Sequence, residues 1–192
     1  MLLGDGFLMD HRKNPKLEVE MTNKTFIEWL KEELGYICTG TVSVNDSEGT
    51  GVCEGFNVKK SYTIWTHSLE SLRKYRNWLD DIWTEGGESL ETTPLKLKLW
   101  YVSNGNINRG GRGGCHAQIN TGRVKSDNQL ENVFDSIGME FTRAKWGNRL
   151  NFTVSESQKL WDYMGDPLPG FEYKWPDGPE YSEVIDEHTE EI

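Results

Sequence analysis

Two short phrases in this chain place a side-chain oxygen directly before a glycine. MLLGDGFL at 1–8 carries Asp5 before Gly6, and LWYVSNGN at 99–106 carries Asn104 before Gly105. A carboxylate is an anionic oxygen donor suited to a hard cation; an amide of nearly the same size is neutral and a poorer ligand. Each phrase reads as an apolar helix end closing on a polar residue. The bland reading of Asp5 is a simple Asp-Gly turn. Its echo in the second phrase makes a paired site the reading to test.

The elements that would hold these phrases recur in the same order. LEVEMT (17–22) follows Gly6 and HAQINT (116–121) follows Gly105, each alternating as a half-buried strand does. TFIEWLKEEL (25–34) sets Phe26, Ile27, Leu30 and Leu34 at helical spacing, with Asn23 or Thr25 as cap and Gly35 as stop. SDNQLENVFDSI (126–137) repeats this with Leu130, Val133, Phe134 and Ile137, Ser126 or Asp127 as cap and Gly138 as stop. YTIWTHSLESLRKY (62–75) and LNFTVSESQKLWDY (150–163) each predict a strand, then a helix opening at Ser. The order helix end, strands, helix, strands, helix therefore runs twice, predicting a pseudo-twofold α+β protein. A polar, Gly-rich stretch at 42–60 lengthens the first copy as a hairpin loop or strand extension, and RGGRGG (109–114) reads as a glycine hairpin.

Composition narrows the class. With 192 residues, 8 Trp, 7 Tyr and 7 Phe, the chain can bury a sizeable core and is not of disordered type. No run approaches the ~20 apolar residues of a membrane span, and no signal-peptide pattern opens the sequence, so an intracellular, cytoplasmic protein is expected. Cys38, Cys53 and Cys115 predict free thiols, and four scattered His without a CxxC pair argue against a zinc site. The formal charge of −10 argues against simple polyanion binding. Seven acids fall within 177–192, and leaving them out reduces the body to −3. That segment reads as a mobile, solubilising tail, and the acidic excess also suits a halophilic host or its virus.

At LLGDG (2–6), LKLWYVSNG (97–105), the lead TTPLKLKLWY (92–101) and FEYKWP (171–176), the chain resembles the LAGLIDADG homing endonucleases. The form it resembles is the single chain with two motifs, here with a degenerate second motif. The resemblance spans about residues 1–176 and implies two αββαββα halves, 1–91 and 92–176, each offering a curved antiparallel sheet to the DNA major groove. It implies that the two motif helices end side by side, that Asp5 and the residue at Asn104 hold Mg²⁺ near the scissile phosphates, and that Lys174 stabilises the transition state. Gly6 and Gly105 would leave their helices in a left-handed conformation. Base and phosphate contacts would come from Lys16, Lys59, Lys60, Arg109, Arg112, Lys125, Arg143, Lys145 and Arg149, each of which, alone, reads equally as a solvated charge. Trp146 and Trp175 could stack on bases, although core packing is the commoner use of Trp.

Three departures accompany the resemblance. Asn104 removes one carboxylate, residues 78–91 offer the first half no Lys or Arg, and Met1 leaves the first motif helix barely one turn. The expected function is site-specific double-stranded DNA cleavage of the intron- or intein-encoded homing type by a monomer, reduced to nicking by the lost acid. The rival is a non-cleaving nucleic-acid-binding protein on the same fold, either a maturase on intron RNA or a DNA-binding regulator.

Overall fold

The two periodicities of the sequence, two residues for strands and 3.6 for helices, build the same unit twice. The computed structural model describes residues 6–9, 13–45, 60–73, 92–110, 114–121, 127–145 and 148–180. The chain divides into two compact units, Met1–Leu79 and Asp80–Ile192.

In the first unit the described elements are β1 (Gly6–Met9), β2 (Lys16–Met21), α1 (Lys24–Leu34), β3 (Ser43–Asn45) and β4 (Ser61–Trp65). The strands form an antiparallel sheet in the order β1-β2-β4-β3. Helix α1 starts where Asn23 Oδ1 accepts from the Phe26 N–H at 3.0 Å, satisfying an amide that the helix itself cannot. It stops at Gly35, whose φ of 52° a side chain would strain. Its buried stripe of Phe26, Ile27 and Leu30 packs on the sheet face that carries Val19 and Ile64. Leu69 leads into a short 3-10 turn, Glu70–Leu72, followed by helical Arg73, and the rest of the expected helix lies outside the described residues. The expected first motif helix with Asp5, and residues 78–91, which carry no Lys or Arg, lie outside the described residues.

The second unit shows the whole predicted order: α2 (Pro94–Asn104), β5 (Gly105–Gly110), β6 (Gly114–Asn120), α3 (Asp127–Asp135), β7 (Thr142–Arg143), β8 (Arg149–Asn151) and α4 (Val154–Met164). Its sheet runs β5-β6-β8-β7, the strand order of the first unit again. Gly110 pairs with Gly114, which closes the expected glycine hairpin. Thr93 caps α2 ahead of Pro94 by accepting from the Lys96 N–H at 3.3 Å. Thr153, not the expected Ser, caps α4 through the Glu156 N–H at 3.2 Å. Ser157 is spent otherwise: fully buried, it accepts from the Ala117 N–H and donates to Thr153 O, both at 2.7 Å, joining α4 to β6.

The core of this unit is aromatic at its centre. The Phe134 ring lies 5.2 Å from those of Phe141 and Phe152 and 6.1 Å from Trp100. Leu97, Tyr101, Ile107, Ile119, Leu150, Leu160 and Trp161 close around it, each large apolar side chain contributing about 1.5–3 kcal/mol on burial. Among the described residues Cys38 and Cys115 are free thiols, and no helix is long and apolar enough to cross a membrane.

Candidate nucleic-acid interface and helix-end site

The last turn of α2 is braced by several side-chain hydrogen bonds. Its final carbonyls have no partner within the helix, and the negative end of the helix dipole adds to their demand for a cation. Lys174, buried, meets that demand: its Nζ donates to Val102 O at 2.6 Å and to Gly105 O at 2.8 Å, bracketing Asn104. The ammonium also stands 5.2 Å from the Phe171 ring centroid. Tyr101 on the same turn donates its hydroxyl proton to Lys174 O at 3.0 Å and accepts from Trp161 Nε1 at 3.3 Å. Burial pushes the Tyr101 phenol far above its ordinary value, against the lowering hydrogen bond from Trp161, so it remains a donor. Lys174 is thus pinned by both its main chain and its ammonium.

Gly105 has φ −86° and enters β5 extended, and Gly6 opens β1 opposite Val19. The expected left-handed exit does not occur at Gly105, and the residues that lead into Gly6 lie outside the described residues. The reason for glycine at 105 is space: a Cβ there would overlap the Tyr101 ring and the Tyr101 carbonyl oxygen. Helix passes to strand without a turn between them, and only the smallest residue fits beneath the tyrosine.

Strand β5 carries two different faces. On the covered face Arg109 donates from Nη2 to Trp175 O at 2.8 Å and Gly178 O at 3.0 Å, so the start of the expected tail is tied down. On the other face the register aligns Asn106 with Gln118, Gln118 with Asn151, Asn151 with Thr142, Asn108 with His116, and Asn120 with Arg149. Paired residues of antiparallel strands share a face, and Asn106, Asn108, Asn120, Thr142 and Arg149 are exposed. The result is an open, polar surface across four strands, bearing amides more than charges. Sequence reasoning nominated the cations and passed over these amides, although the alternation in GNINRG and HAQIN displays them.

The open face of the first unit differs. Lys16 lies over the Trp65 ring at 5.4 Å, Glu18 accepts from Trp65 Nε1, and Glu20 Oε1 accepts from Ser61 Oγ and from Asn45 Nδ2 at 3.4 Å. Two carboxylates sit here where the second unit has amides.

Of the nominated residues, the structure brings together Asn104 and Lys174 at the end of α2. Arg149 and Lys16 stand on the open faces of their sheets. Arg109 lies on the covered face, Arg143 pairs with Leu150 at the sheet edge, and Lys60 and Lys145 are exposed beside β4 and β7. Trp175 is buried in the core, its ring 5.5 Å from that of Tyr101. Asp5, Lys59, Arg112, Lys125 and Trp146 lie outside the described residues. No group of three or more His, Cys, Asp or Glu able to hold a metal occurs among the described residues. The neutral amide of Asn104 beside an ammonium does not fit Mg²⁺ by itself, because that ion requires anionic oxygens.

No protein-family model matches the sequence, and no curated protein matches it. Solved structures do. The homing endonuclease I-WcaI, bound to its DNA recognition sequence, is 13% identical with a TM-score of 0.67, over 90% of this chain and 81% of that one. The meganuclease I-SmaMI, bound to uncleavable DNA, is 14% identical with a TM-score of 0.45, over 98% and 85% of the two chains. The doubled β-β-α-β-β order, the matching strand orders of the two sheets and the I-WcaI likeness lead to one conclusion: the chain has the LAGLIDADG homing endonuclease fold.

Proposed function

We propose that this chain is a site-specific double-stranded DNA endonuclease of homing type that acts as a monomer, hydrolyses phosphodiester bonds with Mg²⁺, and cuts one strand in preference to the other. The observation that carries the reading is the exposed polar face of β5–β8 on a fold whose I-WcaI representative is bound to DNA. Lys16 and Arg149 are placed to meet phosphates or bases from the open faces. Lys174 holds the end of α2 in one geometry and keeps a positive charge beside residue 104, a field that favours phosphoryl oxygens there. Mg²⁺ when bound supplies an activated water and charge for the leaving oxygen. Its anionic ligand would be Asp5, because Asn104 contributes none.

A second reading is a non-cleaving nucleic-acid-binding protein on this fold, acting on DNA or on intron RNA. It is favoured by the neutral Asn104 beside an ammonium already committed to two carbonyls. One experiment separates the two: incubation of the protein with a randomised plasmid library and Mg²⁺, scored separately for nicked and linear products. Nicked circles at a defined sequence support the nuclease. Retention of duplex without any broken strand supports the binding protein, and neither result sinks both.

A further inference from the structure

Five amides and one guanidinium, Asn106, Asn108, Gln118, Asn120, Asn151 and Arg149, share the open face of the second unit's sheet with His116 and Thr142. In register they form three rows, with Asn106, Gln118 and Asn151 as the middle one. A carboxamide presents one donor and one acceptor side by side, the complement of adenine N6 and N7 in the major groove, whereas guanine is the partner of Arg. Residues two apart on a strand are separated by about 6.7 Å, and stacked base pairs by about 3.4 Å, so successive amides along β6 match every second base pair. The three rows together cover about 13 Å, or about four base-pair steps. Amides carry no charge and displace no counterions, so what they add is discrimination and not general affinity for phosphate.

We propose that the second unit reads an adenine-rich stretch of about four to five base pairs through this amide face, with the Asn106–Gln118–Asn151 row at its centre. The proposal rests on the DNA-binding reading above and deepens it.

The test is selection of the full chain on randomised duplexes in EDTA, which separates binding from cutting. The retained pool is expected to hold an adenine-rich run in one half of the site. Gln118→Arg is expected to change the preference at one position from adenine to guanine. Asn106→Ala, at an exposed position where folding is undisturbed, is expected to cost about tenfold in preference at one or two neighbouring positions, with the salt slope of binding unchanged. A defined pool without adenine enrichment, or a Gln118→Arg variant with the parent's preference, overturns the proposal and leaves DNA binding standing. A protein that retains no duplex overturns both.

Discussion

Residue 104 differs from an acid by one amide group, and its surroundings would welcome the charge. The Lys174 ammonium is held between the carbonyls on either side of it and cannot swing away without leaving both unpaired. Asn104→Asp should therefore be tolerated despite the negative end of the helix dipole, which opposes it by only about 0.3–1 kcal/mol. If Asp5 and residue 104 form a pair, the variant raises the ratio of linear to nicked plasmid in Mg²⁺. An unchanged ratio rules the pairing out. Gly105 offers a structural counterpart. Gly105→Ala forces a methyl into the Tyr101 ring and carbonyl and should cost about 1–3 kcal/mol in urea unfolding, with no rescue from any change of ligand. The juxtaposition of Asn104 with a helix end was legible in the phrase WYVSNG. The use of Gly105 was not, because it depends on a ring folded back onto the strand.

At the scale of elements, the longest periodic segments were the most legible. Asn23, the Phe26–Ile27–Leu30 stripe and Gly35 bound α1 as the sequence indicates, and TTPLKL opens α2 at its Thr-Pro pair. Strand β7 was expected from the doubled order but could not be located, because two residues carry no periodicity; it is defined by its partner, β8. The cap of α4 was misread by two residues because Thr153 and Ser155 can both accept from an N–H, and only the packing of β6 on α4 chooses between them. That helix also holds a pH-sensitive brace. Glu156 accepts from Lys159 Nζ at 2.7 Å and from the Glu140 N–H at 2.9 Å, and these two bonds, the lysine's first, hold its carboxyl below the ordinary glutamate range. A depressed folded value means that the stabilisation is complete above the unfolded value and is lost as pH falls through the folded one. Glu156→Gln should cost about 1–2 kcal/mol at neutral pH, and the difference from the parent should shrink on acidification. Equal loss at every pH would show that shape and not charge is what matters there.

The whole molecule carries a charge of −10, yet it is proposed to meet a polyanion. Two features make this workable. The acids are concentrated near one end, five of them within residues 181–192, and the open face of the second sheet contributes amides in place of further anions. Binding of duplex should weaken with salt in proportion to the few phosphates that cations such as Arg149 and Lys16 neutralise, a shallow slope for a protein of this size. Removing residues 181–192 should raise affinity at low salt, with the gain fading once the Debye length falls to about 8 Å near physiological ionic strength. A gain that persists at high salt would mean that these residues act by occupying the face and not through their charge.

Strand β5 is also held on one side and open on the other. One side presents Asn106 and Asn108; the other is bolted by Arg109 to the carbonyls of Trp175 and Gly178, just beyond Lys174. That guanidinium ties the strand to the chain that steadies the end of α2, in addition to the bond from Lys174 Nζ to Gly105 O at the start of β5. Arg109→Leu removes the guanidinium's tie and leaves the Lys174 bond to Gly105 O and the outer side chains in place. Recognition and strand breakage should then come apart: duplex is still held, but nicking no longer distinguishes a correct sequence from one altered beneath β5.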